Sequence, residues 1–255
     1  MFNDLIKKSV EIVEEIGDIT ILAAQTLYYS FKGNFNIKDV MTQMVRVGVD
    51  SLPVAVVTAA FVGMVFAVQI SYEFVKYGAG NIVGGVMGIA VARELAPALT
   101  AVVLAGRVGS SYAAEIGTMA VTEQIDAINA MGSDPVKYLV VPRFIASTLM
   151  LPILTVFADI VGFFGGYLVA IFVVGISSYG YMDSASSLLN MSDILGGIIK
   201  AVFFGMIISI IGCYKGMKTR GGAKGVGSAT TDSVVYSLMA IFVVNYFLSL
   251  MLFNR

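Results

Sequence analysis

Residues 52–71 read LPVAVVTAAFVGMVFAVQIS, an apolar run without one Asp, Glu, Lys or Arg. Wound as a helix rising 1.5 Å per residue, about 20 residues cover the ~30 Å hydrocarbon layer of a bilayer. Four further stretches of similar character follow, at about 81–106, 139–175, 194–214 and 233–253. Backbone groups in hydrocarbon must find their hydrogen bonds internally, and a helix does so within one segment. The chain is therefore expected to be an all-α integral membrane protein with five transmembrane helices. The third stretch is too long for one straight crossing. Pro142, Arg143 and Pro152 suggest that it starts in the interface and bends before entering the membrane.

Composition points the same way and removes several chemistries. Of 255 residues, 58% are apolar and 13% charged, whereas soluble domains have about 45–50% and about 25%. Without histidine there is no His-centred triad, His-ligated zinc or imidazole proton shuttle. The single cysteine, Cys213, excludes an internal disulfide and a paired-cysteine metal site. The nearest approach to a nucleotide loop, Gly212-Cys213-Tyr214-Lys215-Gly216-Met217-Lys218-Thr219, lacks the glycine spacing that wraps a phosphate. Any ATP used must be hydrolysed on another chain. A net charge of −1 and the lack of a basic run with interleaved aromatics give no sign of nucleic-acid binding. Met1-Phe2-Asn3-Asp4-Leu5 has none of the features of a cleaved signal peptide, so the start is expected to be retained.

Residues before Leu52 differ in pattern. Phe2, Leu5, Ile6, Ile12, Val13, Ile16 and Ile19 recur at helical spacing, and Lys7, Lys8, Glu11, Glu14, Glu15 and Asp18 fill the other face. Such a helix is expected to lie on the membrane. The apolar piece 19–31 carries Thr20, Gln25 and Thr26 and is expected to be re-entrant or interfacial. A turn is expected over 32–36, then a second amphipathic stretch with Ile37, Val40, Met41, Met44 and Val45 on one side. Twelve of the sixteen Lys and Arg residues precede the first span or lie between spans two and three or four and five, while 176–193 has none. The positive-inside rule places those twelve in the cytoplasm, with the N-terminus inside and the C-terminus outside.

Two segments stand out as candidates for function. Within 107–143, Val121, Ile125 and Ile128 fall on one helical face, with Glu123, Gln124, Asp126 and Asn129 elsewhere. Gly132 occupies a C-cap position, and Ser133-Asp134-Pro135 has the form of a new helix start. A short cytoplasmic helix over 115–131 is expected, either a solvated loop helix or one whose apolar ridge docks on a partner. The second candidate is Arg93-Glu94 in mid-span. Charged residues there usually face a protein interior or a wet cavity. Neighbours on a helix point about 100° apart, so at least one of the two needs another partner, with Asp159 and Lys200 available. The pair is either a structural ion pair or a polar patch for a charged head group, and Pro97 would bend the helix beside it. Glycine runs such as Gly84-Gly85 and Gly196-Gly197 are expected to let helices approach closely.

Several runs resemble the MlaE (YrbE) permease family. They are Ala92-Arg93-Glu94-Leu95-Ala96-Pro97, Ala105-Gly106-Arg107-Val108-Gly109-Ser110, Ala114-Glu115-Ile116-Gly117-Thr118-Met119, Thr122-Glu123-Gln124-Ile125-Asp126-Ala127, Met131-Gly132-Ser133-Asp134-Pro135 and Pro142-Arg143-Phe144. Gly222-Ala223-Lys224-Gly225-Val226-Gly227, Ala229-Thr230-Thr231 and Ser233-Val234-Val235 are similar to that family's last cytoplasmic loop. The resemblance covers most of the chain from about residue 45. It implies the permease subunit of an ABC transporter that moves phospholipid between the inner and outer membranes of a diderm bacterium. The implied partners are a second copy of the chain, two copies of a cytoplasmic ABC ATPase carrying ATP and Mg, and an MCE-domain substrate-binding protein as a hexameric ring. It also implies interfacial elbow helices over 1–50 and a five-helix permease domain over 51–255, with a coupling segment at about 107–138. Glu115, Gly117, Val121, Glu123, Ile125, Asp126 and Ile128 would form the ATPase-coupling helix, and Arg93, Glu94 and Pro97 would line the lipid cavity. No metal and no catalytic residue are implied. The competing assignment, an ATPase-independent secondary transporter or channel for an amphipathic solute, would carry internal repeats and more ionisable residues along a path, and neither is evident.

Overall fold

The computed structural model describes the backbone of residues 2–32 and 36–253, with side chains apart from those of 2–9, 11 and 12. The described residues are helical nearly throughout. In chain order they form α1 (Phe2–Lys32), α2 (Ile37–Met44), α3 (Leu52–Lys76), α4 (Val83–Ala90), α5 (Ala96–Leu104), α6 (Ser110–Val121), α7 (Gln124–Ala130), α8 (Val141–Phe172), α9 (Ser178–Leu188), α10 (Met191–Met217) and α11 (Gly222–Phe253). π-helical turns at Val45–Val49, Val91–Leu95, Ala105–Gly109 and Val136–Val140 join several of these into longer rods. Among the described residues five helical runs are long and apolar enough to cross a membrane: Ile37–Lys76, Gly80–Val121, Val136–Phe172, Met191–Met217 and Gly222–Phe253. The all-α, five-span expectation is met, and the third run carries Pro152 within α8.

The N-terminal part differs from expectation. α1 is one unbroken helix of 31 residues, so of the two alternatives for 19–31 the re-entrant one is not formed. Thr20 and Thr26, polar residues that suggested a break, turn their hydroxyls back to the carbonyls of Ile16 (2.8 Å) and Leu22 (2.7 Å) and are satisfied within the helix. In α2, Val40 is buried while Ile37 and Met41 are exposed, so the apolar residues do not share one environment. The side chains of Phe2, Leu5, Ile6, Lys7, Lys8, Glu11 and Ile12, and the turn expected over 32–36 at its residues 33–35, lie outside the described residues.

The chain forms two compact units, each from three pieces of sequence. The first comprises Met1–Met44, Ala105–Ser147 and Met206–Ser237. In it, α1 is tied to the end of α10 by ion pairs of Glu15 with Lys215 and of Asp18 with Lys218, the latter at 2.8 Å. The hydrogen bond and charge of Lys218 hold the Asp18 carboxyl below its ordinary pKa. The second unit comprises Val45–Leu104, Thr148–Gly205 and Leu238–Arg255. Its core gathers small and branched residues, among them Ala59, Ala67, Val83, Met87, Val91 and Ala158, with Tyr181 fully buried. Tyr181 belongs to α9, a helix inside the segment 176–193 that follows the third apolar stretch and carries no Lys or Arg. α9 packs on α4 because glycine lets the backbones touch: a Cβ on Gly84 would sit 1.9 Å from the Tyr181 carbonyl oxygen. The Gly85 N–H donates to Ser184 Oγ at 3.1 Å.

Candidate functional site

Arg93 and Glu94 lie on the π-helical turn Val91–Leu95, between α4 and α5. Such single turns are frequent at functional sites. Each charge finds its own partner on α10. The Arg93 guanidinium meets Asp193 at 2.7 Å, and the Glu94 carboxylate meets Lys200 at 2.7 Å. Asp193, Gly197 and Lys200 stand at i, i+4 and i+7, one face of α10. Gly197 brings that face in: a Cβ there would lie 2.1 Å from the Ala92 carbonyl oxygen.

Lys200 donates to Glu94 Oε1, to Ser249 Oγ (2.7 Å) and to the Arg93 carbonyl (2.9 Å), using all three ammonium protons. The last bond explains Pro97. A proline has no N–H for the carbonyl four residues earlier, which is that of Arg93, and Lys200 serves this oxygen instead. Pro97 is itself buried in α5. Glu94 also accepts from Ser249 Oγ (2.8 Å) and, on its other oxygen, from Asn245 Nδ2 (2.9 Å). Asp193 receives the Asn190 N–H at 2.9 Å, fastening the start of α10. Arg93 lies 4.6 Å from the Phe253 ring centroid, a cation–π contact.

The cluster holds two positive and two negative groups and is neutral. Its exposure is uneven: the Lys200 and Asp193 side chains are 0% and 2% exposed, those of Arg93 and Glu94 32% and 43%. Two buried charges thus hold two accessible ones. The sequence named Lys200 as a possible partner and the structure pairs it with Glu94; Asp159, named beside it, joins neither charge. Asp193, Asn245, Ser249 and Phe253 were not foreseen. The only local signal was the spacing of Asp193 and Lys200 on one helical face.

The segment 115–131 is not one helix. α6 ends at Val121, Glu123 adopts a left-handed conformation (φ 60°), and α7 begins at Gln124. Thr118 and Thr122 both bond back to carbonyls four residues earlier, at 2.8 and 2.7 Å, an arrangement that competes with a regular helix end. The supposed ridge therefore splits: Val121 closes α6, Ile125 is half-buried and Ile128 is buried within the chain. Glu123, Gln124, Asp126 and Ala127 are the exposed side of this segment. Glu115 lies in α6 and binds Arg143 at 2.8 Å. Gly117 faces Thr219, whose Oγ1 would lie 2.9 Å from an added Cβ. Both serve packing inside the first unit.

The expected caps are present. Gly132 has φ +75°, and the Gly132 and Ser133 N–H groups close on the carbonyls of Asn129 (2.9 Å) and Ile128 (3.1 Å), a Schellman stop. The Asp134 carboxylate accepts the Val136 N–H at 2.9 Å and the Tyr29 hydroxyl at 2.5 Å. That carboxylate pushes the Tyr29 phenol pKa up. Among the described residues no cluster of His, Cys, Asp and Glu could hold a metal ion.

The family model of the permease MlaE matches residues 40–251. The chain belongs to the MlaE permease family. It is 48% identical to a probable ABC transporter permease protein of Synechocystis over 91% of this chain and 89% of that protein. It is 40% identical to a probable ABC transporter permease protein of Rickettsia typhi, over 97% and 96% of the two chains. It is also 44% identical to the chloroplastic protein trigalactosyldiacylglycerol 1 of Arabidopsis thaliana, over 92% of this chain and 67% of that one. As an MlaE-family permease the chain is a multi-pass membrane subunit of an ABC transporter, which implies an ATPase partner. The Arg93–Glu94 cluster and the α6–α7 break both fall inside the matched region.

Proposed function

We propose that the chain is the permease subunit of a transporter that moves phospholipid between the inner and outer membranes of a diderm bacterium. It works as a homodimer with two copies of a cytoplasmic ABC ATPase, which carry ATP and Mg, and with an MCE-domain protein as a hexameric ring on the outer side. It lies in the inner membrane with its N-terminus in the cytoplasm, where twelve of the sixteen basic residues then sit. The C-terminus is periplasmic, and α1 and α2 are elbow helices at the cytoplasmic interface. A relative named after trigalactosyldiacylglycerol, a glycolipid, favours a lipid cargo.

The observation that carries the proposal is the neutral cluster in which Asp193 and Lys200 are buried while Arg93 and Glu94 remain accessible. Arg93 gives Nε and Nη2 to the same Asp193 oxygen. A guanidinium has five donors in a planar fork, so others remain for phosphate oxygens. A phosphate entering here meets a cation whose counter-ion is already in place, which limits the cost of holding Arg93 in the empty state. Glu94 and Pro97 line the same place, Pro97 by freeing the Arg93 carbonyl for Lys200. The α6–α7 break with its exposed Glu123, Gln124, Asp126 and Ala127 is the ATPase-docking side, and Glu115, Gly117, Val121, Ile125 and Ile128 carry its motion into the rest of the first unit. Native mass spectrometry of the complex released in mild detergent tests this directly. Two copies of the chain with two ATPase subunits and an MCE protein are expected, and a single copy or a preparation without ATPase would contradict it.

A further inference from the structure

Asp159 stands in α8, on the apolar span Val136–Phe172, with both carboxylate oxygens buried and without a hydrogen-bond partner. It lines a cavity of about 310 Å³ whose other walls are apolar, including Gly88, Val156, Phe163, Phe164 and Ile194. All of these belong to the second unit. None of Arg93, Glu94, Asp193 and Lys200 lines it. A carboxylate withdrawn from water into apolar walls is costly to keep ionised unless a cation or donor meets it, and such groups inside membrane spans mark ligand paths.

We propose that this cavity binds the ammonium head of an amphiphile. An ammonium entering there supplies the cation that an ionised Asp159 lacks. Phe163 and Phe164, edge to face with centroids 5.9 Å apart, supply the π surface that ammonium groups favour. The remaining aliphatic wall accepts an apolar body, and the volume suits a ligand of modest size. A bare small cation would leave that wall unused, and an anionic head would bring Asp159 no counter-ion. The proposal is independent of the transported cargo, and its failure would leave the transport assignment standing.

The test uses the full-length chain in neutral maltoside micelles with three probes of equal chain length: dodecyltrimethylammonium, dodecylphosphocholine and dodecanoate. Binding is read by native mass spectrometry and by thermal stabilisation. Saturable binding of dodecyltrimethylammonium is expected, weakened at least tenfold by Asp159→Asn, with no comparable binding of dodecanoate. Asp159-dependent binding of dodecylphosphocholine as well would identify the source as a zwitterionic lipid head, and its absence a simple cationic amphiphile; both outcomes support the ammonium site. Val156→Phe fills the cavity while leaving the Asp159 side chain in the protein and should also abolish binding, so it decides the matter if Asp159→Asn does not fold. Equal binding of dodecanoate, undiminished binding by Asp159→Asn, or undiminished binding by folded Val156→Phe overturns the proposal.

Discussion

Lys200 is the residue on which the charged cluster turns, because its three bonds join it to two distant pieces of chain, the turn holding Arg93 and Glu94 and the end of α11 at Ser249, and none of its side chain is exposed. Removing one member of a buried ion pair costs about 3–5 kcal/mol, since the other charge is stranded, while replacing both members is often near neutral. Glu94 is 43% exposed, so the loss for Lys200→Met should fall near the low end of that range. The double variant Lys200→Met with Glu94→Gln should recover most of it. Thermal unfolding in detergent checks this; a double variant no more stable than the single would show that the pair is not what Lys200 supplies. The sequence displayed Arg93 and Glu94 as anomalies and showed that they cannot neutralise each other. It could not display their partners: Asp193 and Lys200 stand 100 and 106 residues away, and no local period links such distances. Elimination among charged residues reached Lys200 but admitted Asp159 equally.

At the scale of helices, position depends on where backbones touch. Gly197→Ala places a methyl 2.1 Å from the Ala92 carbonyl oxygen, and a backbone carbonyl cannot swing aside as a flexible side chain can. Overpacking of this kind costs about 1–3 kcal/mol or more, and here it also parts both ion pairs. Gly17 in α1 has nothing within 4 Å of an added Cβ, so Gly17→Ala should gain about 0.5–1 kcal/mol of helix propensity. Opposite changes in melting temperature are expected, and equal changes would refute the packing account. The α6–α7 break gives a second prediction. Glu123 holds a left-handed backbone that costs a residue bearing a Cβ about 1–2 kcal/mol and glycine little. Glu123→Gly should therefore raise stability by about 1 kcal/mol, whereas Asp126→Lys should leave stability unchanged and reduce ATPase co-purification. A destabilised Glu123→Gly protein would mean that the turn is not strained there. The spans, the Gly132 stop and the Asp134 start were legible because each rests on local chemistry: apolar length, a residue able to take positive φ, and a short carboxylate before proline. The break at Glu123 and helix α9 were not, since the first needs a strained non-glycine residue and the second depends on contact with α4.

The whole molecule joins two units, each drawn from distant pieces of one chain, and its family makes it one subunit of a larger machine. Under the proposed function the neutral cluster has a specific use: Arg93, with Asp193 already in place as its counter-ion, meets the lipid phosphate through its remaining donors. Two accounts make different predictions for Arg93→Ala. If Arg93 only braces helices, the variant lowers stability and assembly while transport per assembled complex stays near wild type. If Arg93 meets lipid phosphate, transport per assembled complex falls as well, beyond any loss of stability from the stranded Asp193. Losing a charge-assisted hydrogen bond to phosphate, about 1.5–3 kcal/mol, corresponds to roughly a tenfold loss or more. Arg93→Lys should recover part of it, because an ammonium keeps the charge without the planar fork. The decisive measurement is ATP-dependent phospholipid transfer by the reconstituted complex, normalised to intact complex, for wild type and Arg93→Ala. A loss of about tenfold with composition and ATPase binding unchanged is predicted; transfer at the wild-type rate per intact complex would contradict it.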